Sequence, residues 1–329
     1  MEELKNMISE EETSIVESEE TVTLPEETKT EGDTLVNGVM HERNMKQVSA
    51  AQKATKVCVQ AALYIFLGIM ALVVLFPFYF MLISSVKSMD EYTMDPPTLW
   101  PQTFLFSNYA EAFELGGLGT LFKNTVYVGV VSTLISLVIT VLSAFAFARL
   151  EFKGKNTLFA CLLATMMIPG ELFTITNYQT VNSLGWLHTY KVLIIPFLVS
   201  IFYIYLLKQN FMQIPNELYL AAKVDGTTDL KYLWKVMIPL ALPTLISITI
   251  LKMMGSWNTY MWPKLVANDD AHKLITNGLR AMSITDEGGL PDIPKQMAAV
   301  AIVSAPLFLV FVFLRKYIMK GVSRSGIKG

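Results

Sequence analysis

The sequence predicts an all-α polytopic membrane protein with six transmembrane helices and both termini in the cytoplasm. Three observations carry this. Of 329 residues, 53% are apolar and 16% charged, with a mean hydropathy of +0.44; soluble domains are roughly 25% charged. A soluble chain of this length would have to hide an unusual amount of apolar surface, so part of the surface is expected to face lipid. Six stretches are long enough, or nearly so, for the roughly 20 apolar residues that cross about 30 Å of hydrocarbon. Lys and Arg gather on alternate flanks of those stretches, as cytoplasmic loops require.

The elements follow in order. Residues 1–56 are expected to form an acidic, disordered cytoplasmic tail. Residues 1–33 hold twelve acids against Lys5 and Lys29, so residues 34–329 carry 24 basic and 16 acidic groups, a net +8 inside a chain of net −2. Such a tail has too little apolar surface to offset the entropy of ordering. The first apolar stretch, about 58–86, starts too far behind this tail for a signal peptide and reads as a retained anchor. With the long outer loop that follows, it makes a second segment, 57–117. Spans two to six are expected at about 121–148, 157–178, 190–208, 236–262 and 297–319, within a segment 118–314, and residues 315–329 form a basic cytoplasmic tail. Sixteen basic residues (within 43–56, 149–155, 208–235 and 315–328) flank one side, against Lys87, Lys123, Lys191, Lys264, Lys273, Arg280 and Lys295 on the other. Trp100, Trp186, Trp257 and Trp262 fall near outer ends, where an interfacial aromatic belt sits.

Composition and motifs exclude several classes. There is no GxxxxGK[ST] phosphate loop, so the chain is not expected to hydrolyse ATP itself, and no GxSxG, HExxH or GxGxxG. Cys58 and Cys161 lie in apolar runs and read as small buried hydrophobes; with three histidines they form neither a disulfide framework nor a zinc pattern. No catalytic residue, metal or cofactor is expected.

Inner loops are short except 209–235. There Pro215 sets up the chain, Asn216 is placed to cap a helix, and Glu217 sits near its positive end. Leu218, Ala221 and Ala222 are read as one face, with two alanines small enough to let another surface approach. Asp225-Gly226 ends the helix, because glycine takes the left-handed conformation without steric cost. Thr228 or Asp229 can cap a second helix running to Pro239. Within the spans, Glu171 follows Pro169-Gly170 at an expected helix break, and Lys252 lies in span five. Intramembrane charges are costly and mark functional positions. The two face the bundle interior, pairing or lining a polar path, or else Glu171 reaches the interface while Lys252 snorkels or meets a partner.

The run Glu217-Leu218-x-x-Ala221-Ala222-x-x-Asp225-Gly226, followed by Ile238-Pro239-Leu240, resembles the signature loop of binding-protein-dependent ABC importer permeases. NYAEAF (108–113), KNTVYV (123–128), AFAFARLEFKG (144–154), MMIPGELF (166–173), SWNTYMWP (256–263) and GVSRSGIKG (321–329) resemble the carbohydrate-uptake, maltose-permease-like branch. The likeness spans roughly residues 60–329. It implies a type I importer transmembrane fold over 118–314. It also implies a second permease subunit, two ATP-binding subunits, an extracellular substrate-binding protein and a sugar substrate. Glu217, Ala221, Ala222, Asp225 and Gly226 would then meet the ATPase, although Leu220 stands where many relatives carry Glu and Thr227 where many carry Ala. Pathway candidates are Glu171, Asn177, Tyr178, Lys252, Trp257 and Asn258, with Gln179 and Tyr260 beside them. The 264–296 loop, with Asp269, Asp270, Asp286, Glu287 and Asp292, would meet the binding protein, and the tail 321–329 the ATPases. Two other readings stay open: the same architecture serving a polyol, glycerol phosphate or peptide, and an ion-coupled secondary transporter. The second would bring inverted repeats and several membrane acids; Glu171 is the only acid in the six spans.

Overall fold

The computed structural model describes residues 31–323 apart from 283 and 286–288, with side chains from 55 to 315. It divides into two units, residues 1–74 and 75–329. Among the described residues three helices are long and apolar enough to cross a membrane, and up to six spans result if each of three bent helix pairs is one.

Helix α1 (Glu31–Ser84), which runs through the first unit and past its end at Val74, begins well before the apolar stretch. The disorder expected over 1–56 therefore fails from Glu31 onward, and residues 1–30 lie outside the described part. The physical reason is propagation. Residues 38–56 are rich in Met, Lys, Gln and Ala, which favour helix, and extending an existing helix avoids the cost of nucleation. The apolar part of this unit presents Leu63, Tyr64, Ile65 and Phe66 outward.

In the second unit the last turns of α1 are followed by two short helices, α2 (Met89–Tyr92) and α3 (Ser107–Leu115), in what the sequence leaves as loop. Lys87 is buried and donates to the Thr98 carbonyl, so it is a structural tie as well as a basic flank of a span. Asn108 donates to the Ser85 and Lys87 carbonyls at 3.0 and 2.9 Å.

The central element is α4 (Leu118–Arg149). Its buried residues Ser132, Ser136, Thr140 and Ala144 recur every four positions, one helical face of small side chains. Small faces let helix backbones approach closely where lipid removes the hydrophobic drive between helices. Against α4 pack α8 (Ile201–Met212) and α12 (Leu242–Asn258). Gly129 faces Ser256 on α12, with room for no more than ordinary contact.

Between these run the bent pairs. Helix α5 (Lys155–Thr165) meets α6 (Thr174–Ser183) at 81°, across Pro169 and a 3₁₀ turn at Gly170–Phe173. Helix α7 (Tyr190–Ile194) continues through a 3₁₀ turn holding Pro196 and meets α8 at 43°. After α9 (Asn216–Val224) and α10 (Asp229–Tyr232) comes a π turn, Leu233–Met237, and the short α11 (Ile238–Leu240), which meets α12 at 80°. Pro239 supplies no N–H, and its ring crowds the carbonyl four residues back; widening the preceding turn relieves that contact. Helices α13 (Met261–Val266), α14 (Ile275–Ala281) and α15 (Ile293–Ser323) follow, and α15 packs on α12 and α3.

Two expectations about burial are corrected. Cys58 and Cys161 are exposed; their helices are apolar on the outside, so apolar neighbours in sequence did not mean core. Trp262 is buried, and its indole N–H donates to the Val192 carbonyl at 3.0 Å, so it is a core residue and not a belt anchor.

The approach of α14 to α4 depends on Gly278. A Cβ built there would stand 2.2 Å from Leu121 Cδ1 and 2.8 Å from its Cγ, and Leu121 is itself buried. Gly278→Ala should therefore destabilise the chain by about 1–3 kcal/mol through overpacking. Thermal unfolding of the detergent-solubilised protein measures this, and an unchanged midpoint would contradict the packing described.

Candidate functional site

The cytoplasmic-type loop folds as a helix–turn–helix. Pro215 occupies the N-cap of α9 without a side-chain cap, so Asn216 is the first helical residue and not the cap expected of it. Proline fixes the extended-to-helical entry by itself. Glu217 lies in the first turn. At the other end Gly226 has φ +69°, the Thr227 N–H donates to the Ala222 carbonyl (2.8 Å) and the Gly226 N–H to Lys223 (3.0 Å). These two bonds are the Schellman closure that a left-handed glycine permits.

Thr228 stands at the N-cap of α10, but its side chain makes no capping bond. Asp229 does different work. Its carboxylate accepts the Tyr219 hydroxyl at 2.8 Å and lies 2.7 Å from the Lys223 ammonium, bolting α9 to α10 across the turn. That carboxylate holds the Lys223 ammonium above the usual lysine range. The pair is exposed, so its worth lies in geometry more than energy. The Tyr219 ring packs on Tyr232, centroids 5.2 Å apart.

This packing divides the two alanines. Tyr219 and Ala222 turn inward onto a core that includes Leu207, Phe211, Tyr232 and Leu233. Glu217, Leu218, Leu220, Ala221 and Asp225 point outward, with Val224 88% exposed. Leu218 and Ala221 thus share a free face, as expected, but Ala222 does not belong to it: Tyr219 and Ala222, three residues apart, form the half-buried stripe that packs on the core. Arg149 anchors the entry, donating to the Phe211 carbonyl (3.0 Å) and to Ile214 at the end of α8. Its cation also suits the negative end of that helix. Sequence reading used Arg149 only as a topology marker and missed Tyr219 as a bolt.

The membrane candidates scatter. A cavity of about 310 Å³ lies among α4, α7, α8, α12 and α13; its lining includes Ser132, Phe197, Tyr203, Lys252, Ser256 and Trp262. Lys252 donates to the Phe197 carbonyl, where the bent pair breaks. Glu171 is exposed in the 3₁₀ turn before α6 and, among the described residues, makes no ion pair with Lys252, so the expected pairing is not found. Asn177 and Gln179 are exposed. Tyr178 packs on the cluster of Val181, Val192 and Trp262. Trp257 stacks edge-on against Phe122 at 5.6 Å, with its indole nitrogen buried and unbonded. Asn258 donates to the Met254 carbonyl one turn back (2.9 Å), and Tyr260 lies under Lys264 and Arg280. Of the pathway set, Lys252 alone lines this cavity.

The 264–296 loop is also clasped to the bundle. Asn124 donates to the Ala271 and Lys273 carbonyls (2.9 and 3.0 Å) and accepts the Tyr190 hydroxyl (2.7 Å). Asp269 meets His188 at 3.0 Å and His272 at 2.7 Å. Burial pushes its carboxyl upward, but hydrogen bonds to His272 and His188 outweigh that and hold it below the usual range. Asp292 is buried and caps α15 through the Lys295 N–H at 3.1 Å. Asp270 stays exposed beside Lys273, while Asp286, Glu287 and residues 324–329 of the expected contact tail lie outside the described residues.

Apolar helices, proline-bent pairs and a bolted helix–turn–helix make this an all-α polytopic membrane protein. Residues 136–324 match the family described as "Binding-protein-dependent transport system inner membrane component". An arabinooligosaccharides transport system permease protein of Halalkalibacterium halodurans is 30% identical, over 79% of this chain and 93% of its own. A polygalacturonan/rhamnogalacturonan transport system permease protein of Bacillus subtilis is 30% identical over 81% and 97%. An sn-glycerol-3-phosphate transport system permease protein of Rhizobium meliloti is 29% identical over 76% and 91%. A solved bacterial ABC transporter involved in the import of the acidic polysaccharide alginate has a chain of the same fold, with TM-score 0.71 and 23% identity over 89% of this chain and 99% of that one. The chain therefore belongs to the family of inner-membrane components of binding-protein-dependent transport systems. It is a transport subunit of the membrane.

Proposed function

We propose that the chain is the permease subunit of an ATP-driven carbohydrate importer, forming one half of the translocation pathway. A second permease supplies the other half, two ATP-binding subunits sit beneath, and an extracellular binding protein delivers the sugar. Each bent pair counts as one span, giving six, with both termini in the cytoplasm. The observation that supports coupling most is α9: a short helix held at both ends and presenting a small, partly apolar face around Ala221. Glu217, Ala221, Asp225 and Gly226 then form the contact with the ATPase, and Ala222 supports them from behind. The sugar assignment rests on the oligosaccharide relatives at 30% identity.

Coupling works through rigidity. Closure of the ATPases on ATP draws α9 inward; α10 and α11 pass that displacement to α12, and the bundle rocks outward-facing until hydrolysis resets it. A loose loop would let the ATPases turn over without transport.

The test is co-purification of the tagged full-length chain from its own membrane in mild detergent. A second permease and an ATP-binding protein are expected with it. Gly226→Pro should lose the ATP-binding protein, because proline's φ near −65° cannot meet the +69° observed. Absence of any ATP-binding partner from the wild-type preparation would overturn the importer reading. Calorimetry on the binding protein with oligosaccharides and glycerol phosphate then decides the solute.

A further inference from the structure

The cavity at Lys252 holds a charge that no acid among the described residues balances. We propose that it is a subsite for a carboxylate-bearing sugar unit, a uronate, on the translocation route. This rests on the carbohydrate reading above and narrows it to an acidic class. Four observations support it.

The cavity is lined by Lys252 but by no Asp or Glu, and Lys252 makes no ion pair among the described residues. An ammonium in a membrane span is costly unless paired. It has three N–H donors, and the Phe197 carbonyl takes one. That bond explains why the side chain is held; it does not explain why a full charge is kept where a neutral donor would serve. A carboxylate would supply the missing counter-charge and accept the free donors.

The rest of the lining suits a sugar ring. Ser132, Ser200, Ser256 and Thr259 bring hydroxyls that both donate and accept. Phe197, Tyr203 and Trp262 bring aromatic faces, of which Trp262 is fixed by its bond to Val192. The volume, about 310 Å³, is at the lower end of the roughly 300–1,000 Å³ of ligand pockets, which suits one unit of a chain more than a whole oligomer.

The site also sits where movement would act on it. Phe197, Val199 and Ser200 belong to the 43° break between α7 and α8, and Lys252, Gly255 and Ser256 belong to α12, which continues from the helices behind α9. Displacement of α12 against that break would change the cavity, so occupancy and the ATPase cycle would meet at the same residues.

Two measurements test this on the complete importer, the full-length chain with its partners, in phosphatidylcholine nanodiscs and proteoliposomes. Calorimetry in nanodiscs should show saturable binding of trigalacturonate that weakens with salt, and at least about tenfold weaker binding after Lys252→Met. In proteoliposomes the ratio of trigalacturonate to maltotriose uptake should fall at least about tenfold in Lys252→Met and hold in Lys252→Arg. The proposal is overturned by an unchanged ratio, or by equal loss of both sugars, which would make Lys252 only a brace for the Phe197 carbonyl. It is equally overturned if inorganic phosphate displaces trigalacturonate at the same concentration, which would make the site a general anion or lipid-phosphate site. Maltotriose uptake without trigalacturonate binding ends this proposal alone; uptake of neither sugar by a complex with active ATPase ends the carbohydrate reading itself.

Discussion

Ala221→Arg is expected to cut transport by about thirtyfold while the amount of chain in the membrane stays the same. Ala222→Arg is expected to deplete the chain itself. The two residues are adjacent and chemically identical, so the contrast depends only on which way each points. Ala221 is exposed on the outer face of α9, and a surface substitution away from caps and core moves stability by no more than about 0.5 kcal/mol. In a docked helix the same arginine must displace a partner surface that has closed onto a methyl group. A loss of about 2 kcal/mol at such a position, the size of an interface hot spot, corresponds to the thirtyfold drop. Ala222 instead packs beside Tyr219 against the core formed with Leu207, Phe211 and Tyr232. Ala222 is half-buried there, so a long side chain must force its way between Tyr219 and that core, and such overpacking is destabilising. Uptake of labelled sugar, read beside the level of chain in the membrane, separates the two. Normal transport by Ala221→Arg would remove α9 as the docking element, and a normal level of Ala222→Arg would reverse the helix face.

The same pair marks how far the sequence could be read. Long apolar stretches and the positions of prolines fixed the helices, because both act locally: a run of apolar residues needs lipid or core, and Pro169, Pro196 and Pro239 each break a hydrogen-bond ladder where they stand. The loop's ends were legible for the same reason, since Gly226 announces a left-handed turn. The helix of residues 31–54 was not, because charge and polarity argued for disorder while the decisive fact was continuity with a helix further along. The facing of Ala222 was not legible either. Spacing allows both alanines on one side, and only the bulk of Tyr219, anchored by Asp229 ten residues later, turns one of them inward. Nothing periodic links residues that far apart across a turn. Among the membrane candidates, residue type alone could not separate Lys252, which lines a cavity, from Tyr178 and Trp257, which pack into the bundle. Aromatic and polar residues near span ends are chosen for packing as often as for ligands, and only neighbours from other helices decide between the two.

Asn124→Leu is expected to be the most damaging substitution outside the 209–235 loop, costing about 3 kcal/mol. Asn124 is 2% exposed and spends its amide on three groups from two other segments: two carbonyls of the 264–296 loop and the Tyr190 hydroxyl. Leucine keeps the branched outline, with more bulk, but leaves all three without the amide, and each buried polar group left unpaired costs about 1–3 kcal/mol. The sum is held near the lower end because these bonds lie close enough to the surface for water to replace some of them. A loss of this size lowers a melting midpoint by roughly 6–12 °C in a unit of 150–250 residues. Tyr190→Phe removes only one of the three bonds and should cost about 1 kcal/mol. Asn124→Asp keeps the acceptor for Tyr190 but sets a carboxylate against two carbonyls, so it should be no milder than leucine. The order of the three variants carries more weight than any one of them. If Tyr190→Phe melted as low as Asn124→Leu, the clasp would be a tyrosine packing effect, through the rings of Tyr127 and His272 that flank Tyr190 at 5.0 and 4.7 Å. If instead the amide governs, the 264–296 loop is held to the first buried turns of α4, the helix whose small-residue face organises the bundle. A change in that loop would then be felt at the packing centre and not only at the surface.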